Sequence, residues 1–395
     1  MKQHTDFDVA IVGGGPVGLA LAAWLAAKWG NQAHRIAVFD AKPLSVAAQD
    51  PRILALSEAT RLRLSNLGFP AQATPIHHIH VSEQNCFGQV RMNASDMALP
   101  ALGWTMRYGE LVHTLSDVLQ QRGVQVHRAV GVKPAPLTQQ PAHGLELADG
   151  RQYTTHLRVD AEGGVYGDSN PRDHQVDFQQ SALVSEVTAQ VERRMLQGQN
   201  TLAFERFTPQ GPLALLPIST DQCRYALVWC ASPHDVKRRL DAPNAEFLAE
   251  LNAQLGRRVC VLTTSARHAF PVGMSWRSSL VQGTQVAIGN AAQILHPVAG
   301  QGLNLGLRDA LQLSRSVSPQ GIEHAQGLAC ALQQFDKGRA VDRAALVHMT
   351  QWMVKGFSNP NPLLAFGRQT ALHCLEYAPP LRKQFAELML YGLMS

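Results

Sequence analysis

Charged residues are scarce in this chain of 395 residues. Asp, Glu, Lys and Arg make up 16% of the sequence, whereas they account for about 25% of an average globular protein. Intrinsic disorder requires low hydrophobicity together with a high net charge, but 45% of these residues are hydrophobic and the formal net charge is +5. The composition therefore excludes a disordered chain and predicts a large core, and the length favours two or three domains.

Runs of basic residues are absent as well. The 35 Lys and Arg residues are spread among 30 Asp and Glu residues, without a run of five or more, so we expect no nucleic-acid partner. The small positive excess fits a mild attraction to an anionic cofactor or a membrane surface. We find no repeat at a fixed period, which argues against a solenoid.

Metal-binding and redox motifs are also missing. None of the six cysteines lies in a C-x-x-C motif, which argues against a zinc knuckle or a redox pair. We expect buried free thiols in a reducing cytoplasm. No nearby acid or cysteine completes a metal site with His77, His78 and His80, of which only His78 and His80 would share a face of a strand, so we expect solvated histidines and no metal site. The hydrolase motifs G-x-S-x-G and H-E-x-x-H do not occur.

A membrane-spanning segment is not predicted either. Residues 9–27 carry no charge, but Gly13 to Pro16 interrupts this stretch, and each remaining piece is too short to cross a bilayer. The preceding Asp6 and Asp8 are not typical of a signal peptide. The stretch is better interpreted as a buried strand, a turn and a buried helix.

This strand, turn and helix contain a G-x-G-x-x-G motif. In such a motif the first glycine allows a tight turn, the second lets the backbone approach a pyrophosphate, and the third lets the helix pack closely on the strand. The helix N-terminus attracts phosphates, and an acid at the end of the next strand accepts hydrogen bonds from a ribose. The sequence therefore predicts a dinucleotide site formed by Gly13, Gly15, Pro16, Val17, Gly18 and Asp40.

A second glycine-rich turn lies far down the chain. A predicted strand, 286–288, leads into Gly289 and Asn290, and a loop with Pro297, Gly300 and Gly302 precedes a predicted helix. Glycines in such a loop let the backbone approach a ligand closely. The start of the following helix favours negative charge.

These segments resemble a known family. Residues 289–306 and 203–214 are similar to the FAD-dependent aromatic hydroxylases typified by para-hydroxybenzoate hydroxylase, and most similar to their ubiquinone-biosynthesis branch. The resemblance covers residues 5 to about 350. It implies FAD as the cofactor, NAD(P)H as a co-substrate, and a prenylated phenol and O₂ as substrates. The expected reaction is ring hydroxylation through a flavin C4a-hydroperoxide.

The resemblance also assigns residues to the cofactor. Asn290 stands where the family usually has Asp and is expected beside the ribityl chain, and Glu162 stands where the family has Asp and is expected near FAD and the nicotinamide. The other assigned residues are Gly289, Pro297, Gly300, Gly302, Leu303 and Asn304 at the flavin, Arg52 near the flavin and diphosphate, and Arg107 at the adenine half. A surface carboxylate at Glu162 and a solvated Arg107 remain alternatives.

No catalytic residue follows from the sequence, because a flavin carries this chemistry itself. The candidates in the flavin loop are His296 and Pro297. For His296 a structural role is favoured over proton transfer.

The predicted fold is α/β. A discontinuous Rossmann-like FAD-binding domain is expected from residues 1–74, 101–175 and 281–340, and a β-sheet substrate domain from 75–100 and 176–280. Residues 341–395 are expected to form a C-terminal helical region. The flavin should lie between the two domains, where ligand pockets are common.

The C-terminal region leaves two interpretations open, a helix packed on the core and a contact with a membrane surface or a quinone-biosynthesis complex. We accordingly expect a cytoplasmic protein, with a position peripheral to the inner membrane as the alternative. Two other functions also remain open. One is hydroxylation of another aromatic compound or ring position, and the other is a flavin-fold accessory subunit with little turnover.

Overall fold

The computed structural model describes residues 5–84, 86, 88–135, 143–163, 173–192, 194–195, 201–221, 223–357 and 362–392. In chain order the strands are β1 (Phe7–Val12), β2 (Ile36–Asp40), β3 (Ile53–Ser57), β4 (Thr74–Ile76), β5 (His78–Glu83), β6 (Gln89–Asn93), β7 (Gly103–Arg107), β8 (Gln125–Arg128), β9 (Val132–Ala135), β10 (His143–Leu147), β11 (Gln152–Asp160), β12 (His174–Val191), β13 (Leu202–Thr208), β14 (Gly211–Pro217), β15 (Arg224–Ala231), β16 (Val259–Thr264), β17 (His268–Trp276), β18 (Val281–Gln282), β19 (Gln285–Ala287) and β20 (Gln293–Ile294). The helices are α1 (Pro16–Trp29), α2 (Leu44–Ala48), α3 (Glu58–Leu64), α4 (Tyr108–Gln121), α5 (Pro233–Asp241), α6 (Asn244–Leu255), α7 (Gln301–Ser316), α8 (Pro319–Ile322), α9 (Ala325–Phe357), α10 (Pro362–Tyr377) and α11 (Pro379–Tyr391).

The first sheet is built around β1. This strand pairs in parallel with β2 and β11, and β8 and β19 continue the parallel order on the two sides. All six residues of β1 are buried, as expected for a parallel strand that is covered on both faces. Apolar residues of α1, α4 and α7 pack on one face, and Leu145 and Leu147 of β10 pack on Phe7 and Phe39 at the other. The strand of the predicted Rossmann-like unit is thus central in this sheet, and its helix α1 packs on one face.

The second sheet is largely antiparallel. Its strand order is β20-β17-β12-β15-β14-β13-β5-β6, with β16 beside β12, and β13 and β5 are parallel. One face is covered by α5 and α6, whose Val236, Phe247 and Leu251 pack around Trp229. The other face is turned toward the loop before α7 and toward the C-terminal helices. A small third sheet, β3-β7-β4, lies beside these layers.

Two segments cross the predicted domain limits. The boundary predicted at residue 340 lies inside the 33-residue helix α9. The strand β20 belongs to the segment 281–340, yet it pairs with β17 of the second sheet. The loop that carries Asn290 and His296 therefore connects the two sheets.

Prolines divide the C-terminal helices. Pro362 begins α10 and Pro379 begins α11, since proline is tolerated in the first turn of a helix but not in its interior. Ala386 and Leu390 of α11 are buried against Met92 and Leu102. Within the parts of the chain that the structure describes, no helix is long and apolar enough to span a membrane.

Burial differs from two expectations. Cys230 is buried, but Cys223, Cys260, Cys330 and Cys374 are exposed, so the expectation of buried thiols was wrong for these four. His78 and His80 are only 3% and 6% exposed, so the expectation of solvated histidines was also wrong. The reason is that β5 lies between β6 and β13 in the sheet. Burial lowers the pKa of both histidines.

Candidate functional site

The first glycine turn is packed against the end of β11. Gly13 has a φ of +118°, and a β-carbon there would lie 2.6 Å from the amide nitrogen of Glu162. A β-carbon at Gly18 would collide with the carbonyl oxygen of Gly13. Backbone therefore approaches backbone at two of the three motif glycines, which explains why side chains are absent there.

Two helices that begin at the glycine-rich turns lack the usual caps. Neither α1, which begins at Pro16 after Gly15, nor α7, which follows Gly300, has a side-chain cap or an acidic residue in its first turn. A serine caps each of α3, α5 and α8, whereas α2 and α11 also lack a side-chain cap and a first-turn acid. Uncapped amides and the positive end of the helix dipole favour an anionic ligand.

The two glycine-rich turns touch each other. Gly289 has a φ of +59°, and a β-carbon there would lie 3.2 Å from the side chain of Val17 in α1. A β-carbon at Gly306 of α7 would lie 2.9 Å from Cα of Gly289. Small residues at these contacts bring both turns to one edge of the first sheet. Asn290, next to Gly289, is half-buried there.

Asp40 and Arg128 face the first turn. Asp40 Oδ2 accepts a hydrogen bond from the amide of Gly14 at 2.6 Å, and its Oδ1 accepts one from the amide of Lys42 at 2.7 Å. Arg128 Nη1 lies 3.8 Å from Asp40 Oδ2. This nitrogen is buried and has no hydrogen-bond partner among the described residues. An acceptor on a bound dinucleotide would satisfy it.

Arg128 was not among the residues predicted from the sequence. It lies opposite Asp40 because β2 and β8 are parallel neighbours in which these two residues are paired. That register is a tertiary property, so no local motif marks the arginine.

Arg52 lies beside the same turn, whereas Arg107 faces the second sheet. The Arg52 guanidinium pairs with Asp50 at 2.7 Å and lies 4.5 Å from the ring centre of Tyr108. The Tyr108 hydroxyl is 3.0 Å from where a β-carbon of Gly15 would stand. Arg107 is exposed and forms an ion pair with Glu186 of β12 at 2.7 Å.

Glu162 follows β11 directly beside Gly13, and its side chain is exposed at the edge of the turn. Partial desolvation and the carboxylate of Asp160, with a smaller effect of Asp40, raise the pKa of Glu162. Glu162 is thus both a surface carboxylate and a neighbour of the predicted dinucleotide site.

The loop that precedes α7 is tied to β3 and α3 by Asn304. Asn304 Oδ1 accepts hydrogen bonds from the Ser57 amide at 2.9 Å and the Thr60 hydroxyl at 2.7 Å. Its Nδ2 donates to the carbonyl oxygens of Ala55 and Gly300. These four bonds use the full capacity of the amide, so the side chain of Asn304 orders the loop.

Gly302 and Leu303 occupy the first turn of α7. A β-carbon at Gly302 would meet nothing within 4 Å, unlike one at Gly13 or Gly18. The side chain of Leu303 packs on the core of the first sheet. Open space at Gly302 is what a loop that lies along a cofactor requires.

Both ring nitrogens of His296 form hydrogen bonds. Its Nε2 lies 3.1 Å from Gln180 Oε1, and the Val298 amide donates to its Nδ1 at 3.3 Å. Burial lowers the pKa of His296 to about 4. The ring is therefore neutral at physiological pH, and its contacts support a structural role in the loop. The neighbouring Pro297 borders the cavity described next.

A cavity of about 250 Å³ lies between the second sheet, this loop and the C-terminal helices. Pro297, Gly300 and Asn304 form one side of it. The rest of its lining is largely apolar and includes Ile79, Val81, Leu216, Met353, Phe385 and Met389.

One acidic side chain borders this cavity. The side chains of Ser57, Asn304 and Arg368 in its lining are hydrogen-bonded within the protein, whereas Gln301 Oε1 is buried and accepts no hydrogen bond from the described residues. Glu205 has no hydrogen-bond partner among the described residues. It retains some accessible surface because it borders the cavity, but its surroundings are apolar, and desolvation raises the pKa of its carboxyl group to about 8.

Sequence reasoning did not assign a role to Glu205, although the residue belongs to a family-like segment. Ala203, Glu205 and Phe207 alternate along β13 and therefore share one face of the strand. A lone acid on an otherwise apolar strand face was the available signal. Only the folded chain brings Glu205 to the same cavity as the loop at Pro297.

Residues 6–326 match the model of the FAD binding domain family. The chain belongs to this family. It is 29% identical to the 3-demethoxyubiquinol 3-hydroxylase of Escherichia coli, over 95% of this chain and 96% of that protein. It is 28% identical to the ubiquinone hydroxylase UbiL of Rhodospirillum rubrum, over 96% of this chain and 88% of that protein.

A solved structure shares the fold. Klebsiella pneumoniae HpxO complexed with FAD and uric acid superimposes with a TM-score of 0.71 at 15% identity, and covers 100% of this chain and 99% of its own. The predictions of the family, the α/β fold, FAD as the cofactor and an FAD-dependent enzyme are confirmed.

The residues present fit FAD. Two uncapped helix N-termini, the carboxylate of Asp40, the unsatisfied Arg128 and the open space at Gly302 suit an anionic dinucleotide that extends toward the cavity. The contacts of individual residues with FAD stay predictions.

Proposed function

We propose that this protein is a monooxygenase that hydroxylates the ring of a prenylated phenol in ubiquinone biosynthesis. The reaction consumes NAD(P)H, a proton and O₂, adds one oxygen atom to the ring and releases the other in water. Bound FAD would supply the chemistry of oxygen activation. The chain would bind the substrate, orient its ring and exclude water.

The observation that carries the proposal is the apolar cavity beside the flavin loop. A prenylated phenol has an apolar ring and tail with one or a few oxygen atoms, and the lining offers the same balance of apolar and polar groups. Methionines such as Met353 and Met389 adapt their shape to a flexible tail. The names of the relatives, one a demethoxyubiquinol hydroxylase and one a ubiquinone hydroxylase, support the same class of substrate.

Glu205 is the group in this cavity that suits a phenolic oxygen. With a pKa of about 8, its carboxyl group is mostly neutral at pH 7. A neutral carboxyl donates one hydrogen bond and accepts others, so it can pair with a phenolic hydroxyl without burying a charge. Such a bond would fix the orientation of the ring relative to the loop at Pro297.

Two alternatives are tested alongside the proposal. The cavity also accommodates other aromatic compounds, and the differing names of the relatives leave the ring position open. A flavin-fold accessory subunit would bind FAD and show little turnover. Glu162 and Asn290, which depart from the family pattern, are the features that favour this alternative.

The test is to purify the protein with FAD and supply NAD(P)H and a 2-prenylphenol under isotopically labelled O₂. We expect the phenol to stimulate NAD(P)H oxidation and one labelled oxygen atom to appear on the ring by mass spectrometry. A protein that cannot be loaded with FAD would contradict the proposal. NAD(P)H oxidation that no phenol stimulates would instead support the accessory subunit.

Substitution of Glu205 tests the role of its carboxyl group. Glu205→Leu should weaken the preference for the phenol over its methyl ether by about tenfold or more, because a buried hydrogen bond is lost. Glu205→Gln, which keeps a donor and an acceptor, should retain the preference. The KM of the wild type should rise above about pH 8, where the carboxyl group ionises, because substrate binding would then bury a charge. The KM of Glu205→Gln should not rise, since the amide does not ionise.

The matched control is Glu146→Leu, since Glu146 is a half-buried strand residue of the first sheet. It should leave both measurements unchanged. An unaltered preference in Glu205→Leu would show that the phenolic oxygen binds elsewhere.

A further inference from the structure

A second pocket lies on the opposite face of β13 from Glu205. It has a volume of about 430 Å³ and is bordered by β5, β6, β13 and the connection from α6 to β16. Arg206, Arg257 and Arg258 line it, and its described lining contains no Asp or Glu. Three positive charges therefore meet at one pocket in a chain in which charge is scarce.

These three arginines form no ion pair among the described residues, in contrast to Arg224 of β15 in the same sheet and Arg239 of α5. Arg224 pairs with Glu186 and Arg239 pairs with Glu250. For Arg206, Arg257 and Arg258 no carboxylate lies within ion-pair distance among the described residues. Among the described residues, no carboxylate therefore offsets the mutual repulsion of these three positive charges.

Arg206 is the most buried of the three. Its Nη1 donates to Ser82 Oγ at 3.2 Å, but its Nε is buried and has no hydrogen-bond partner. Burial, together with the nearby positive charge of Arg258, lowers the pKa of Arg206. A buried donor without a partner is costly, and an anion in the pocket would remove this cost.

Arg258 is held in place at the edge of the pocket. Its Nη1 donates to Gln89 Oε1 and to His80 Nε2, the latter at 3.3 Å. Burial, with a contribution from Arg258 and Arg206, lowers the pKa of His80, so the histidine acts as a neutral anchor. The remaining donors of the Arg258 guanidinium are free to bind a ligand.

We propose that this basic pocket, lined by Arg206, Arg257 and Arg258, binds a phosphate group. The planar fork of a guanidinium matches two oxygens of a phosphate, and several guanidinium groups suit a ligand with more oxygens and charge than a carboxylate has. The phosphate could belong to a soluble diphosphate or to the headgroup of an anionic phospholipid. The site is separate from the cavity beside the flavin loop and does not depend on the proposed reaction.

The experiment uses the FAD-loaded protein, so that the dinucleotide site is filled. Binding of inorganic pyrophosphate is measured by calorimetry for the wild type and for Arg257→Gln/Arg258→Gln, two exposed positions whose substitution should not disturb folding. We expect the double variant to bind about tenfold or more weakly. Acetate at the same ionic strength should not compete.

The control is Arg151→Gln/Arg315→Gln, which removes two exposed positive charges from other parts of the chain. It should bind pyrophosphate like the wild type. Arg206→Lys keeps the charge but lacks the planar fork, and it should also bind more weakly.

Sedimentation with vesicles separates the two sources of phosphate. Binding to phosphatidylglycerol but not phosphatidylcholine vesicles, lost in Arg257→Gln/Arg258→Gln, would identify a lipid headgroup. Pyrophosphate binding without vesicle binding would identify a soluble ligand. The proposal is overturned when neither probe binds, or when the double variant and its control bind both probes equally.

Discussion

Individual glycines have two different roles in this protein. At Gly13 and Gly18 an added β-carbon would meet the backbone of the protein itself. Substitution there would disturb folding and cofactor binding together, so the two effects could not be separated. At Gly302 an added side chain would enter open space, which makes this residue the more informative probe of the predicted flavin loop.

We therefore predict that Gly302→Val folds but does not retain FAD. The protein has room for the side chain, whereas a cofactor that lies along the loop would collide with it. The measurement is the ratio of flavin absorbance to protein after purification, together with circular dichroism.

Gly338→Val is the matched control, because Gly338 is also a helical glycine whose β-carbon would meet nothing within 4 Å. It should retain FAD fully. Normal flavin content in Gly302→Val would show that the cofactor does not pass this position.

The helix α11 illustrates what the residues of one element leave open and the fold decides. Its apolar residues are compatible both with packing and with a membrane surface. The fold places Ala386 and Leu390 against the second sheet and leaves Leu381 on the outside, 51% exposed. Leu390 also borders the cavity, so α11 is part of the wall that encloses the proposed substrate.

Leu390→Ala should therefore lower the free energy of unfolding by about 2–5 kcal/mol, the usual range for a buried leucine. Leu381→Ala, on the exposed side of the same helix, should change it by less than about 0.5 kcal/mol. Urea denaturation followed by tryptophan fluorescence measures both values. Equal effects of the two substitutions would mean that α11 does not pack as described.

At the scale of the whole molecule, a buried charge network connects distant segments. Arg339 of α9 donates to Asp309 of α7 at 2.6 Å and to Asp342 at 2.7 Å. Gln293 of β20 donates to Asp309 at 2.7 Å and accepts from Arg343 at 2.9 Å. The network joins α7, which follows the predicted flavin loop, to the long helix α9.

Removal of one partner from this network leaves a buried charge without compensation. Asp309→Ala should therefore destabilise the protein by about 3–5 kcal/mol and release FAD at a lower temperature, which flavin fluorescence during heating would record. Asp149→Ala breaks an exposed Asp–Arg pair with Arg151 and should have little effect. A similar melting temperature for both variants would argue that the network contributes no net stability.

The sequence by itself determined the local features of this protein. The run from Phe7 to Gly18 specifies a strand, a turn and a helix because its glycines, apolar periodicity and spacing act within one short segment. The same holds for the second glycine-rich turn and for the proline breaks before α10 and α11. The family, the fold class and FAD followed from these segments.

The tertiary structure alone decided which distant residues meet. Arg128 reaches Asp40 through the register of β2 and β8, Glu205 lines one cavity together with the predicted flavin loop, and Arg206 joins Arg257 and Arg258 at one pocket. Sheet register and helix packing create these contacts from segments that carry no shared local pattern. Folding therefore brings charged residues from distant segments together, as ion pairs between Asp309, Arg339 and Asp342 and as an arginine cluster without a carboxylate in its described lining at the second pocket.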